Sequence, residues 1–149
     1  MRAVVQRVSA ARVTVSGNVC AHIGPGLAVL IGIAGTDVER DAQTMAQKIA
    51  NLRIFADDRG LMNLSVREVG GEVLLVSQFT LHGDARKGRR PSFVTAAREE
   101  QAKPLYERVG ALLARDGLPV ANGVFGAQMQ VQVVNEGPVT ILLDTEKIF

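Results

Sequence analysis

Ser77, Gln78 and Thr80 enclose Phe79 where the apolar run Val73 to Val76 ends. Two hydroxyls and an amide supply donors and acceptors but no group that takes a proton at neutral pH. A hydroxyl nucleophile needs such a base beside it, and neither histidine, His22 or His82, sits in a recognisable catalytic motif. Without a base, this cluster can still position a ligand and offer backbone N–H groups to a developing oxyanion. An isolated Ser or Thr is read more simply as bonded to nearby backbone, so the weight rests on the four residues together.

Two further groups bear on chemistry. Gly137-Pro138 lies in the polar segment Asn135-Glu136-Gly137-Pro138-Val139-Thr140. A cis bond there, found at about 5–6% of X–Pro bonds, would turn two backbone carbonyls the same way, as acceptors for an ammonium group. Thr140 adds a hydroxyl, or is simply a β-branched strand residue. Arg86, Lys87, Arg89 and Arg90 share a Gly-containing stretch with few acids. Such a run is either a solvated face or a contact for phosphates, and Arg98 extends it. Phe93 either stacks on a base or anchors this loop; the core role is the simpler expectation.

Other chemistries find no footing. The single cysteine, Cys20, excludes an internal disulfide and a multi-cysteine metal site, and it reads as a buried inert thiol. No metal-ligand spacing appears, Gly24-Pro25-Gly26 lacks the spacing of a phosphate-binding loop, and Asp57, Asp58 and Asp84 suit turn positions. Neither metal nor cofactor is expected.

These groups must be held by elements. Met1 to Val8 and Arg12 to Val15 read as strands, with a hairpin signal at Gly17-Asn18, and Leu27 to Ala34 as a central strand. Thr36 and Glu39 have capping-box spacing ahead of an amphipathic helix carrying Ala42, Met45, Ala46 and Ile49. A second helix is expected over about Gln101 to Asp116, with Pro104 tolerable only in its first turn. His82 to Ser92 reads as an exposed loop. Two strands follow, near Gln128 to Val134 and Val139 to Leu143, with Gly137-Pro138 in the turn between them. Strands dominate with two helices inserted, so the fold class is α+β with a mostly antiparallel, barrel-like sheet and two main helices.

At 149 residues the chain suits one domain. It contains no apolar stretch long enough to span a bilayer and no signal-peptide pattern at Met1 to Arg7, so no membrane partner is expected and the cytoplasm is the simplest location. A net charge of +2 and a pI near 9.0 are too slight to prove a nucleic-acid partner.

The segments Ser77-Gln78-Phe79-Thr80-Leu81, Lys87-Gly88-Arg89-Arg90-Pro91-Ser92-Phe93 and Asn135-Glu136-Gly137-Pro138-Val139-Thr140 resemble those of bacterial-type D-aminoacyl-tRNA deacylases. The opening Met1 to Val8, Asn51 to Phe55, Met62 to Ser65, Phe125-Gly126-Ala127 and Met129 follow the same pattern. The resemblance implies a β-barrel-like homodimer that hydrolyses the ester of a D-amino acid, or of glycine mischarged on tRNA(Ala), at the aminoacylated 3′ end of tRNA. It implies that Gly137 and Pro138 form a Gly-cisPro motif reaching into the partner's pocket and rejecting L-amino acids. Ser77, Gln78, Phe79 and Thr80 form the pocket, with Thr140 and Met129 supporting it. Arg86, Lys87, Arg89 and Arg90 are the expected tRNA contacts, and no DNA partner is expected. Either Thr80 is the nucleophile, or backbone N–H groups near Phe79 act with the tRNA 2′-hydroxyl; the missing base favours the second. Glu136, where the family commonly has Asp, is a minor departure. Two rivals stay open: a non-catalytic nucleic-acid-binding module and a Thr-nucleophile esterase for small substrates.

Overall fold

Strand β1 (Arg2–Val15) is the spine of the sheet. In the computed structural model, which describes residues 1–148, β8 (Gln130–Asp144) runs antiparallel along one side of it. On its other side lie β3 (Gly26–Gly32) and then β2 (Asn18–Ile23), both antiparallel. The order continues from β3 to β6 (Glu72–Ser77) and β7 (Val120–Asn122), each joined in parallel. Parallel neighbours need long crossovers. The first carries α1 (Glu39–Asn51) and the small pair β4 (Phe55–Ala56) and β5 (Met62–Leu64); the second carries α2 (Glu99–Arg115). The antiparallel bias and the two helices agree with expectation, and the sheet as a whole is mixed.

Two cores flank this sheet. On one face Val5, Val29, Ile31 and Leu75 pack against Met45, Ile49, Val109 and Leu113 of the helices. On the other, the β1–β2 hairpin curls over β3 and β6 and encloses Val8, Val13, Ile23, Ala28, Leu74 and Val76. The result is a nearly closed barrel with helices against one wall. Because β6 is covered on both faces, Val73 to Val76 forms an unbroken apolar run instead of an alternating one.

Several local expectations shift. β1 and β8 are each continuous where the sequence reads as two strands, because irregularities in their pairing absorb the breaks. The hairpin turn is centred on Ser16 and Gly17, both at positive φ (48° and 81°), one residue earlier than expected. Helix α1 begins at Glu39: the Val38 N–H donates to Asp41 Oδ2 at 3.0 Å, while Thr36 bonds Glu146 instead of capping. Helix α2 starts at Glu99, which leaves Pro104 beyond the first turn and the Glu100 carbonyl without its helical N–H.

Candidate active site

The site begins where β6 leaves the sheet. The Gln78 N–H still donates to the Ile31 carbonyl at 2.7 Å, and the chain then folds into one 3₁₀ turn, Phe79–His82. The first residues of such a turn have no helical acceptor for their N–H groups. Among the described residues, the Phe79 and Thr80 N–H groups indeed have no partner. Phe79 is 56% exposed and lines a cavity of about 380 Å³, and Thr80 follows it in the chain. Ser77, Gln78 and Phe79 line that cavity from one side, and Phe125, Met129 and Glu99 from others. Met129 therefore belongs to the pocket with Ser77, Gln78 and Phe79, while Thr80, expected there too, is not among the residues that line it.

The Thr80 hydroxyl accepts a hydrogen bond from the Gln78 side-chain amide. Neither end of an amide is a base at neutral pH, so this contact holds the hydroxyl without activating it. Glu99 is an acid on the cavity wall that motif reading overlooks; its place in the first turn of α2 is the only signal the sequence offers.

His82 closes the 3₁₀ turn and is buried, at 5% exposure, in contrast to the solvated loop position expected for it. Its Nε2 is buried with no hydrogen-bond partner. Burial lowers the imidazole pKa from its ordinary value of 6.5, a hydrogen bond with the Gly32 backbone opposes this, Arg2 and the Met1 ammonium lower it further, and Asp37 raises it. A folded-state pKa below the unfolded one means that the unfolded chain takes up the proton first as pH falls. Stability should therefore be full above about pH 6.5 and decline below it. The urea midpoint of the wild type should fall more than that of His82→Leu between about pH 7.5 and about pH 5.5; equal losses would remove His82 from the account.

Gly137 and Pro138 lie elsewhere in the protomer. They are not at a hairpin tip: β8 passes them as a bulge, with Asn135 opposite Val8 and Thr140 opposite Gln6 on β1. The bulge is level with Arg7, hence through Leu27 with Val73, four residues before Ser77 and three strands away. That is roughly 13 Å along the strands and roughly 14 Å across them. The protomer does not bring Gly137, Pro138 or Thr140 to its own cavity. Both turn residues are exposed, their peptide bond is cis, and Gly137 has φ +120°. Thr140 Oγ1 accepts from Gln6 Nε2 at 3.2 Å.

Two side chains that the motif segments contain without a role assigned to them fix this bulge. Arg7 Nε donates to the Glu136 carbonyl at 3.3 Å, and its Nη1 donates to the Ile54 carbonyl at 2.6 Å. Asn135 Nδ2 donates to the carbonyls of Arg7 and Val139, both at 2.9 Å. Only the β1–β8 register reveals these roles.

The basic loop closes on itself through paired backbone bonds between Asp84 and Ser92. Lys87, Arg89 and Arg90 are exposed and make no ion pair among the described residues. Arg86 differs: its guanidinium bonds Asp84 at 2.9 and 2.6 Å, which holds the Asp84 carboxyl far below the usual range. Phe93 packs edge-on against Phe79, with ring centres 5.2 Å apart, and joins the loop to the pocket instead of entering either core. Cys20 is exposed, not buried, and bonds the Val13 carbonyl through Sγ; β2 turns that side chain outward. Among the described residues no cluster of three or more metal-binding side chains occurs, and no helix is long and apolar enough to cross a membrane.

The model of a family described as "D-Tyr-tRNA(Tyr) deacylase" matches residues 4–144. A D-aminoacyl-tRNA deacylase of Anaeromyxobacter dehalogenans is 59% identical over 149 residues, covering 100% of both chains. One of Symbiobacterium thermophilum is 57% identical over 149 residues, covering 100% of this chain and 99% of its own. A solved structure described as "c-Myc DNA Unwinding Element Binding Protein" superposes with a TM-score of 0.92 at 43% identity, covering 97% of this chain and 99% of that one.

Proposed function

The chain belongs to the D-Tyr-tRNA(Tyr) deacylase family, and from that premise we propose that it is a D-aminoacyl-tRNA deacylase whose single catalytic domain spans residues 1–149. It cleaves the ester between a D-amino acid, or glycine mischarged on tRNA(Ala), and the terminal adenosine. The observation that carries this reading is the unpartnered N–H of Phe79, which lines the cavity, together with that of Thr80 next to it in the chain. Water adds to the ester carbonyl, the oxyanion rests on these N–H groups, and the bond to the ribose 3′-oxygen breaks, with the 2′-hydroxyl of the tRNA relaying the proton lost by water to that leaving oxygen. An aminoacyl ester is already activated, so orientation and oxyanion stabilisation suffice. Thr80, tied to Gln78, positions the substrate.

The enzyme works in the cytoplasm as a homodimer, with Gly137 and Pro138 of one protomer entering the pocket of the other. Two features support this arrangement. The bulge is far from its own cavity, and a row of apolar side chains on directly paired residues, Leu142, Val4 and Leu30, lies on one sheet face with Leu142 56% exposed. A two-fold dimer would create two equivalent sites. Thr140, next to the bulge, supports the partner's pocket.

One assay separates this reading from its rivals: D-Tyr-tRNA, L-Tyr-tRNA and a small D-amino-acid ester are each incubated with the protein. Rapid hydrolysis of the first alone is expected. Binding without hydrolysis would mark a nucleic-acid module, and preference for the small ester a general esterase.

The basic loop carries its own expectation. Replacing Lys87, Arg89 and Arg90 together by Ala should weaken binding to different tRNAs alike and lower the salt slope by about one for each phosphate no longer neutralised. Arg86 should add less, because Asp84 already neutralises it. An unchanged affinity and slope in the triple variant would reduce the loop to a solvated face.

A further inference from the structure

A second cavity, of about 460 Å³, adjoins the first, and Phe125 belongs to the walls of both. Helix α2 runs beneath the two. Glu99 and Ala102 face the first cavity, and Lys103, Glu107 and Gly110 face the second. At about 1.5 Å per residue the two are one to two helical turns apart, a spacing suited to neighbouring bases of an unstacked strand. The assigned chemistry uses none of the residues that only the second cavity contains.

Its polar groups are free to meet a ligand. Lys103, Glu107 and Asn122 are exposed, and Lys103 makes no ion pair among the described residues. The Asn122 side chain donates no hydrogen bond there. Gly110 sits mid-helix, where glycine costs stability relative to alanine; a Cβ at this position would lie 3.2 Å from Asn122 Oδ1. Glycine leaves that amide room.

We propose that this second cavity holds the penultimate nucleotide of the substrate tRNA and selects cytosine there. The inference rests on the deacylase reading, since every tRNA ends in C-C-A and the terminal adenosine occupies the first cavity. A flipped-out base can lie against the Phe125 ring, and such stacking is indifferent to base identity. Identity is read at the base edge. The cytosine 4-amino group donates to the Glu107 carboxylate, a pairing that suits cytosine, while Asn122 donates to the ring acceptors. Uracil would set a carbonyl oxygen against Glu107 and lose that bond. Lys103, one turn before Glu107 on the same face of α2, meets the phosphate that joins the two nucleotides.

Short substrates test this. D-tyrosyl esters of adenosine, CpA and UpA are hydrolysed by the wild type and by Lys103→Ala, Asn122→Ala and Glu107→Gln. The wild type should favour the CpA ester over the adenosine and UpA esters by about tenfold in kcat/KM. The gain should lie in KM, with kcat on saturated adenosine ester unchanged in all three variants. Lys103→Ala and Asn122→Ala should erase most of the advantage of CpA over adenosine, and Glu107→Gln the advantage of CpA over UpA. Equal kcat/KM for all three esters in the wild type, or a CpA advantage that survives all three substitutions, would overturn the proposal. Hydrolysis of the adenosine ester alone keeps the deacylase reading intact in either case, whereas failure to hydrolyse any D-ester, or D-Tyr-tRNA itself, would remove that reading and this inference together.

Discussion

Phe79→Pro should lower kcat on D-Tyr-tRNA by about 10²–10³-fold, the usual loss on removing one oxyanion donor. Proline deletes the N–H of Phe79 and little else of the local backbone. It is well accommodated at the first position of a helical turn, and Gln78, at φ −144° and ψ 81°, lies outside the α region that a following proline disfavours. Phe79→Ala is the control: it removes the ring and its packing on Phe93 but keeps the N–H, so its loss should be much the smaller. Thr80→Ala should also be mild, because the Thr80 hydroxyl has an amide and no base for company. A D-aminoacyl ester carried on 2′-deoxyadenosine should be cleaved slowly. Equal kcat in Phe79→Pro and Phe79→Ala, or a covalent ester trapped on Thr80, would transfer the chemistry from backbone to hydroxyl.

The strand end that lines the cavity is legible in the sequence because its parts are contiguous: an apolar run ending in Ser77-Gln78-Phe79 marks a buried strand reaching the surface. The two helices are legible from periodicity, with Met45 and Ile49 or Val109 and Leu113 returning to one face. Pairing is less so. Nothing local in Gly26 to Gly32 announces a parallel neighbour, since a strand buried on both faces looks alike in either direction. The bulge at Gly137 reads as a hairpin tip because glycine and proline punctuate both, and only the long partner β1 decides between them. His82 and Cys20 each have the opposite exposure to the one their local sequence suggests. A side chain after a polar cluster, or on a short edge strand, takes its burial from elements distant in sequence. Arg7 escapes notice for the same reason: its value lies in the Glu136 and Ile54 carbonyls that the register brings to it.

Gly137→Ala should collapse the preference for D- over L-Tyr-tRNA by about 10²-fold, the scale of loss that a misplacement of about 1 Å produces. At φ +120° an L side chain is strained, and its Cβ would lie 2.8 Å from Val139 Cγ2 and 2.9 Å from Arg7 Nη2. The bulge must therefore shift, and with it the backbone wall proposed to exclude the L side chain. Such a wall works by steric rejection and must keep its place, as the bonds from Arg7 and Asn135 provide. Hydrolysis of D-Tyr-tRNA should survive, since the proposed oxyanion donors belong to a different element. A D/L ratio equal to that of the wild type would free Gly137 of any part in discrimination.

The central claim is that each site takes its pocket from one protomer and its chiral wall from the other, and mixed dimers of Phe79→Pro and Gly137→Ala chains test it most directly. Each chain carries a different C-terminal tag, and only dimers bearing both tags are assayed on D- and L-Tyr-tRNA. The single working pocket then belongs to the Gly137→Ala chain. If the wall comes from the partner, that pocket faces an intact Gly137, and the mixed dimer should hydrolyse D-Tyr-tRNA while sparing L-Tyr-tRNA as the wild type does. Hydrolysis of L-Tyr-tRNA as free as in the Gly137→Ala homodimer would place the wall in the same chain as the pocket and contradict the account.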